Sequence, residues 1–380
     1  MKSIYVNEDL EAIRAGLREF VEREIVPSVE SWEQDRAVPR ELLDEMGRLG
    51  YFGLRIPEEY GGVGLGHVAS VVFAEELGRC TSGGTSATIV VHTDLASPYV
   101  TNFGTPSQKQ KWLPKFASGE LITAIAVTEP DAGSDVASLR TSAKRDGDGW
   151  LVNGSKMFIT NGGIADVVFV AARTNPDVKG SRGLSIFAVE KGTDGFRASR
   201  ALNKMGWHAS NTAELVFEDV WVSNEELIGE EGRGFYYIME NFQNERIAMG
   251  GMGLGEAQKA IDLTVAYTKE RSAFGAPLWE KQAIRQRLAM RQAELDAARE
   301  FTYRCAWLTD EGIDSVREVS ELKALLGELT NRVLYDCVQF HGGMGYIAET
   351  AVERMYRDVR LHSIGGGATE VMLDEVAKRL

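Results

Sequence analysis

The chain has 380 residues, 44% of them hydrophobic, and its 42 Lys and Arg against 56 Asp and Glu leave a formal net charge of -14. That length accommodates two or three domains and a buried cofactor, whereas an acidic balance with no dense Lys/Arg run argues against a nucleic-acid partner. Cys80, Cys305 and Cys337 are odd in number, far apart and without CxxC spacing, so neither a disulfide framework nor a zinc site is expected; with no signal or transit pattern and no apolar run near the roughly 20 residues of a membrane span, the expectation is a cytoplasmic protein.

Residues 1–118 read as an all-α unit. Leu10, Ile13, Leu17, Phe20 and Val21 form the first apolar stripe, Pro27 marks its expected end, and a second helix suits Pro39 to Leu49. The run from Pro57 to Gly62 and the stretch from Gly64 to His67 make a loop before a helix that ends near Gly78. Over 119–228 the texture changes to short β-branched and aromatic runs: Trp150 to Val152, Met157 to Thr160, Val167 to Ala171, Leu184 to Val189 and Leu215 to Val222. Their spacing describes an antiparallel sheet, with hairpin signals at Gly147-Asp148-Gly149 and Asn153-Gly154. Helical periodicity returns over 229–380, with helices expected at 232–270, 280–309, 315–340, 348–361 and after Gly367, the pattern of a bundle. The fold class is α+β multidomain, in the order α, β, α.

One residue breaks its own pattern. Ile238, Phe242, Glu245, Met249 and Met252 repeat with helical spacing, so Glu245 puts a carboxylate into an inward-facing stripe. Such a group must be neutralised, paired or used; burial raises its pKa and makes it a proton acceptor near neutrality. Arg246 follows directly and Glu256 returns to the same stripe, so spacing alone does not separate a base from an ion pair.

Three further stretches carry candidate binding chemistry. Thr128-Glu129-Pro130-Asp131-Ala132-Gly133-Ser134-Asp135 concentrates hydroxyls and free backbone N–H groups where helix gives way to sheet, which equally suits a polar turn or a cradle for a planar ligand with phosphates. Lys156 to Gly163 sets Phe158 beside Thr160 at a strand end, an aromatic face with a hydroxyl donor. Gln339 to Tyr346 places three glycines in four positions, allowing close backbone approach to a phosphate or simply a tight turn. It does not follow a strand as GxGxxG, so no nicotinamide site is implied.

Read together, these stretches resemble the acyl-CoA dehydrogenase family over nearly the whole chain. Ala126 through Asp135 and Gln339 through Asp358, with Glu349 and Arg354, match its two signatures in order and position, and Arg271-Ser272-Ala273-Phe274-Gly275 with Gln282 adds a third match. The resemblance implies a helical N-terminal domain, a central β-domain, a C-terminal helical bundle, bound FAD and a homotetramer. By position, Ile125, Val127, Thr128, Phe158 and Thr160 would lie around the flavin, with Ser134 between flavin and acyl-CoA. Arg271, Phe274, Gln282, Gln339, Gly342, Gly343, Thr369 and Glu370 would hold FAD, largely across subunits.

In that family a carboxylate removes the α-proton of an acyl-CoA while the β-hydrogen leaves as hydride, giving a trans-2-enoyl-CoA and passing electrons to an electron-transfer flavoprotein. Most relatives carry the base in a Tyr-Glu-Gly-Thr stretch, where this chain reads Gly365-Gly366-Gly367-Ala368. A smaller group, resembling isovaleryl-CoA and long-chain acyl-CoA dehydrogenases, carries it on the bundle helix just before an arginine, a position that here is Glu245. Asn244, Arg246, Gly366 and Gly367 would then contact substrate, the Gly366 N–H helping to polarise the thioester carbonyl. Ser210 to Leu215 also resembles the isovaleryl branch. His208 stands where relatives usually have arginine, Ala368 replaces a threonine, and the absence of side chains at Gly365 and Gly366 is expected to open space for a branched acyl group. The competing readings are an oxygen-using flavoenzyme on the same scaffold and a catalytically silent acyl-CoA-binding protein.

Overall fold

Asn7 caps the first helix, α1 (Glu8–Phe20), by accepting from Leu10 N, and three acids in the first turn suit the positive helix end. The computed structural model describes residues 3–178 and 180–380. Pro27 does not end the helical path as expected. The chain passes through a wide π-type turn at Val21–Ile25 and a 3-10 turn at Val26–Ser28, then continues as α2 (Val29–Asp35). Proline removes an N–H and its ring crowds the preceding turn, but its fixed φ is tolerated where a new helix starts.

The segment continues through α3 (Arg40–Arg48), α4 (His67–Gly78), α5 (Gly83–Val90), α6 (Pro98–Phe103) and α7 (Pro106–Ala117). A reciprocal capping box starts α7: Gln108 N donates to Thr105 Oγ1 at 3.2 Å and Thr105 N to Gln108 Oε1 at 2.9 Å. Helix α4 is buried on nearly its whole circumference, because N-terminal helices cover one side and C-terminal helices the other.

The central strands are β1 (Thr123–Ala126), β2 (Ser142–Asp146), β3 (Gly149–Thr160), β4 (Val167–Arg173), β5 (Leu184–Glu190), β6 (Phe196–Ala201), β7 (Thr212–Ser223) and β8 (Leu227–Ile228). Most pairings are antiparallel as expected, but β1 runs parallel to β4 and Ser142 of β2 pairs with Arg173 of β4 in parallel. Gly147-Asp148 turns β2 into β3. Asn153-Gly154, expected to turn a hairpin, lies inside β3 at a bulge against β7, so two runs read as separate strands form one. An added Cβ at Gly154 would meet Thr141 Oγ1 at 2.6 Å, so this glycine marks a close approach. Strand β6 carries no apolar alternation; Arg197 and Arg200 instead pair with Glu218 and Glu214 on β7.

Strand β4 is buried on both faces. Val168, Val170 and Ala172 pack inward with Trp150, Phe187 and Phe217, while Val167, Phe169 and Ala171 pack against α6, α7 and the first turns of the long helix described next. That second face joins the sheet to the candidate site.

The C-terminal part comprises α8 (Gly234–Glu270), a small hairpin of β9 (Ser272–Ala273) and β10 (Ala276–Pro277), and the helices α9 (Gln282–Asp310), α10 (Val316–His341), α11 (Ala351–Val359) and α12 (Thr369–Ala377). The 37-residue α8 reaches from the sheet into the bundle and crosses α4 at backbone contact. A Cβ added at Gly255 would fall 1.9 Å from Glu75 O, and one at Gly78 2.2 Å from Met252 O. Overpacking typically costs about 1–3 kcal/mol, and here the obstacle is backbone. Gly255→Ala is therefore expected to destabilise by at least the upper figure; a thermal melt superimposing on that of the parent would contradict this crossing.

Candidate active site

Glu245 lies on α8, eleven residues before Glu256, and the structure gives the two acids different surroundings. Glu256 is buried and receives a 2.6 Å contact from His362 Nε2. Glu245 has no hydrogen-bond or ion-pair partner among the described residues, and its side chain is only half-buried. Crowding around the carboxylate nonetheless raises its pKa to about 7, against the opposing pull of Arg246 and Lys323. A carboxylate that titrates near neutrality and is not already engaged is fit to take a proton.

The glycine turn expected to sit near it does so. A Cβ built on Gly366 would lie 3.2 Å from Glu245 Oε1 and 2.7 Å from Met249 Sδ, and Gly366 adopts φ +68°. A side chain at residue 366 would therefore meet Glu245 and Met249, whereas one at Gly365 would first meet Leu361, at 3.5 Å. Arg246 Nε donates to Gly366 O at 3.2 Å, and Lys323 Nζ donates to Gly367 O at 3.1 Å. The Gly366 N–H has no partner among the described residues and remains free to donate.

Asn244, expected to contact substrate, uses one acceptor and one donor of its amide within the protein. It is buried, accepts from Arg55 Nη1 and donates to Asp94 O, so it ties α8 to the N-terminal helices. Tyr99 on α6 is buried with its hydroxyl unpaired, and both burial and the Glu245 charge push its pKa upward.

On the sheet side, Thr128 and Phe158 come together because Met157 N donates to Thr128 O at 2.9 Å. Lys156, fully buried on β3, holds this junction: its Nζ donates to Val127 O at 2.9 Å and to Glu129 Oε1 at 2.8 Å. Burial lowers the Lys156 pKa to about 8 against the pull of Glu129. Burial pushes Glu129 up, but Lys156 and N–H donors from Arg140 and Thr141 leave it below the usual carboxylate value. Phe158 is 66% exposed and sits at φ +63°, a conformation that bulky side chains rarely adopt. Strain retained at an exposed aromatic points to a ligand-facing role. Ile125 and Thr160 are half-buried, Val127 is buried, and Ser134 is exposed.

The other expected cofactor residues do not join this group within one chain. Phe274 and Gly275 form the two-residue turn of β9–β10, both at positive φ, and Phe274 is 98% exposed. Arg271, Gln282, Gln339, Gly342, Gly343 and Glu370 are exposed, while Thr369 is half-buried and donates to Glu328 Oε1. Added Cβ atoms at Gly342 and Gly343 would meet nothing within 4 Å, so their backbone lies open to close approach. His208 is a satisfied histidine, with Nε2 3.0 Å from Lys204 O and Nδ1 3.9 Å from Glu33 Oε2.

Sequence reasoning missed three features. Lys156 has no local signal, since a lysine in a strand ordinarily faces solvent. Lys323 does have one: it interrupts the buried α10 stripe of Val319, Leu322, Leu326 and Leu329 as Glu245 interrupts that of α8. The third is a cleft of about 700 Å³ where the 174–183 loop meets the start of α8, lined by Arg182, Arg233 and Tyr236, with Asp177 and Glu231 also at its edge. Arg233 stacks over the Tyr236 ring at 4.5 Å. Tyr236 precedes Glu245 by nine residues on α8, roughly 13 Å of helix.

The fold is that of an acyl-CoA dehydrogenase. Family models match in sequence: the N-terminal domain over residues 7–120, the middle domain over 124–220 and the C-terminal domain over 232–380. The chain belongs to the acyl-CoA dehydrogenase family, whose members bind FAD, and it is an oxidoreductase acting on acyl-CoA. It is 38% identical to the mitochondrial long-chain specific acyl-CoA dehydrogenase of Mus musculus, over 97% of this chain and 85% of that protein. It is 36% identical to the mitochondrial isovaleryl-CoA dehydrogenase of Pongo abelii, over 96% and 87%. The acyl-CoA dehydrogenase structure from Geobacillus kaustophilus superimposes with a TM-score of 0.95 at 41% identity, covering 100% of this chain and 99% of that one. Among the described residues no helix is long and apolar enough to cross a membrane.

Proposed function

We propose that Glu245 is the base of an α,β-dehydrogenation converting an acyl-CoA thioester to its trans-2-enoyl-CoA. The observation that carries this is the unengaged Glu245 carboxylate, titrating near 7, beside a turn whose residue 366 has no side chain and a free N–H. Glu245 accepts the α-proton at a carboxylate oxygen, and the C–H electron pair becomes the second bond between Cα and Cβ. FAD, when bound, supplies the acceptor for the β-hydride. The Gly366 N–H donates to the thioester oxygen, where negative charge develops as the proton leaves.

The residues present fit a flavin. An exposed, strained Phe158 ring beside Thr128 and Thr160 suits one face of a planar ring system, and the open Gly342-Gly343 backbone suits a pyrophosphate. Arg271, Phe274, Gln282, Gln339, Gly342 and Gly343 would serve a neighbouring subunit's cofactor, which accords with their exposure in a single chain. Large exposed apolar side chains on the same C-terminal part, among them Phe274, Met344 and Tyr346, suit a subunit interface, as the proposed homotetramer requires. The units 1–118, 119–228 and 229–380 are the proposed domains. Arg182 and Arg233 suit the anionic end of CoA, with Tyr236 offering a face to its base, at a distance that a pantetheine arm can bridge to Glu245.

Electron-transfer flavoprotein is the proposed acceptor, and a branched or long acyl chain the proposed substrate. Anaerobic mixing of the holoenzyme with isovaleryl-CoA, citronellyl-CoA, octanoyl-CoA and palmitoyl-CoA is expected to bleach the flavin and release enoyl-CoA, with one acyl chain clearly fastest. Reoxidation by oxygen with product bound is expected to be slow. Rapid oxygen turnover would instead establish the oxidase reading, and protein that takes up no FAD would establish the silent one.

A further inference from the structure

We infer that Lys323 is a positioning residue for this reaction: from α10 it holds both ends of the 363–367 turn against Glu245 and supplies the positive charge that favours the ionised base. The inference rests on Glu245 being that base. Lys323 is 3% exposed, and its ammonium donates to His362 O at 2.5 Å and Gly367 O at 3.1 Å. Those carbonyls bracket Gly366, so one side chain fixes the path of the turn whose free N–H faces the reaction.

Its charge is not explained by those bonds. Two backbone carbonyls can be satisfied by a neutral amide, and a buried ammonium carries a desolvation cost that carbonyl dipoles only partly offset. The ideal Cβ position at Gly366 lies 3.5 Å from Lys323 Cε and 3.2 Å from Glu245 Oε1, so lysine and carboxylate flank one point. An ammonium has three donors, and the third of Lys323 is unspent among the described residues.

The charges acting on Glu245 are Arg246 from its own helix and Lys323 from α10, and the Glu245 charge in turn raises the pKa of the Tyr99 phenol on α6. Arg246 also feels Glu375 of α12. Burial lowers the Lys323 pKa to about 8, against the pull of Glu245. The signs follow. Below about 7 the base is protonated, and above about 8 the lysine loses its charge, which weakens its donation to the two carbonyls and removes its pull on Glu245, so the rate should rise and then fall with pH.

The test is the single-turnover rate of anaerobic flavin reduction in the holoenzyme, with isovaleryl-CoA and octanoyl-CoA as probes, from about pH 5.5 to 10. Lys323→Gln, which keeps a donor but no charge, is expected to shift the acid limb upward by about one unit and to abolish the alkaline limb. Lys323→Arg, charged throughout this range, is expected to keep the acid limb and push the alkaline limb beyond it. Limbs unchanged in both variants would overturn the inference, as would an alkaline limb that Lys323→Arg leaves in place. Should Lys323→Gln fail to fold in a thermal melt, the Lys323→Arg alkaline limb decides alone. A parent enzyme with no acid limb, matched in rate by Glu245→Gln, would instead refute the base itself.

Discussion

Glu245→Gln is expected to lower the rate of anaerobic flavin reduction by acyl-CoA about 10²- to 10⁴-fold, the contribution of a positioned general base, while FAD content and acyl-CoA binding stay near the parental level. Glutamine nearly preserves the volume beside Met249 and Gly366 and removes only the ability to accept the proton. The expected discriminator is Glu256. It lies on the same helix but is spent on His362, so Glu256→Gln should act on stability, leaving a buried histidine short of its acidic partner. A Glu245→Gln enzyme reducing flavin at the parental rate would mean that the proton goes elsewhere. Loss of FAD together with activity would place Glu245 among structural groups.

Lys156→Met is the second large effect. Breaking a buried ion pair by removing one partner costs about 3–5 kcal/mol, because the remaining charge stays buried without compensation. Here Glu129 would be left with the Arg140 and Thr141 N–H groups alone, and Val127 O would lose its donor. The Thr128 to Asp135 turn would loosen from β3, so the purified protein should carry less FAD and melt at a lower temperature. The double variant Lys156→Met, Glu129→Gln should recover part of the loss, since no unpaired charge remains. Equal flavin content and melting temperature in Lys156→Met and parent would show that this pair does not hold the turn.

Much of the fold was legible because its signals are local. The stripe at Leu10 to Phe20 forms α1, the run near Val167 to Ala171 falls within β4, and the long bundle helices lie within a few residues of their periodicity. The misreadings arose where partners distant in sequence override local signals. Pro27 turns the chain without ending it, since Val29 finds buried contacts that restart a helix. Asn153-Gly154 becomes a bulge because β7 pairs along both halves of β3. Strand β6 was missed because its stability comes from pairing with β7 rather than from apolar residues of its own.

By itself the sequence determined the order of helical and sheet segments, the acid set into the α8 stripe and the glycines standing where relatives carry their base. Those properties depend on residue type and spacing along one chain. Only the tertiary structure decided which of the two acids is free, because Glu256 meets His362 from 106 residues away while Glu245 meets no such partner among the described residues. It also decided that Glu245 and Met249 flank Gly366, and that Asn244 ties α8 to Arg55 and Asp94. Lys156 and Lys323 likewise took on their roles only there. A side chain's pKa and availability are set by what surrounds it in space, and for these residues the surroundings come from helices and strands far away in the sequence.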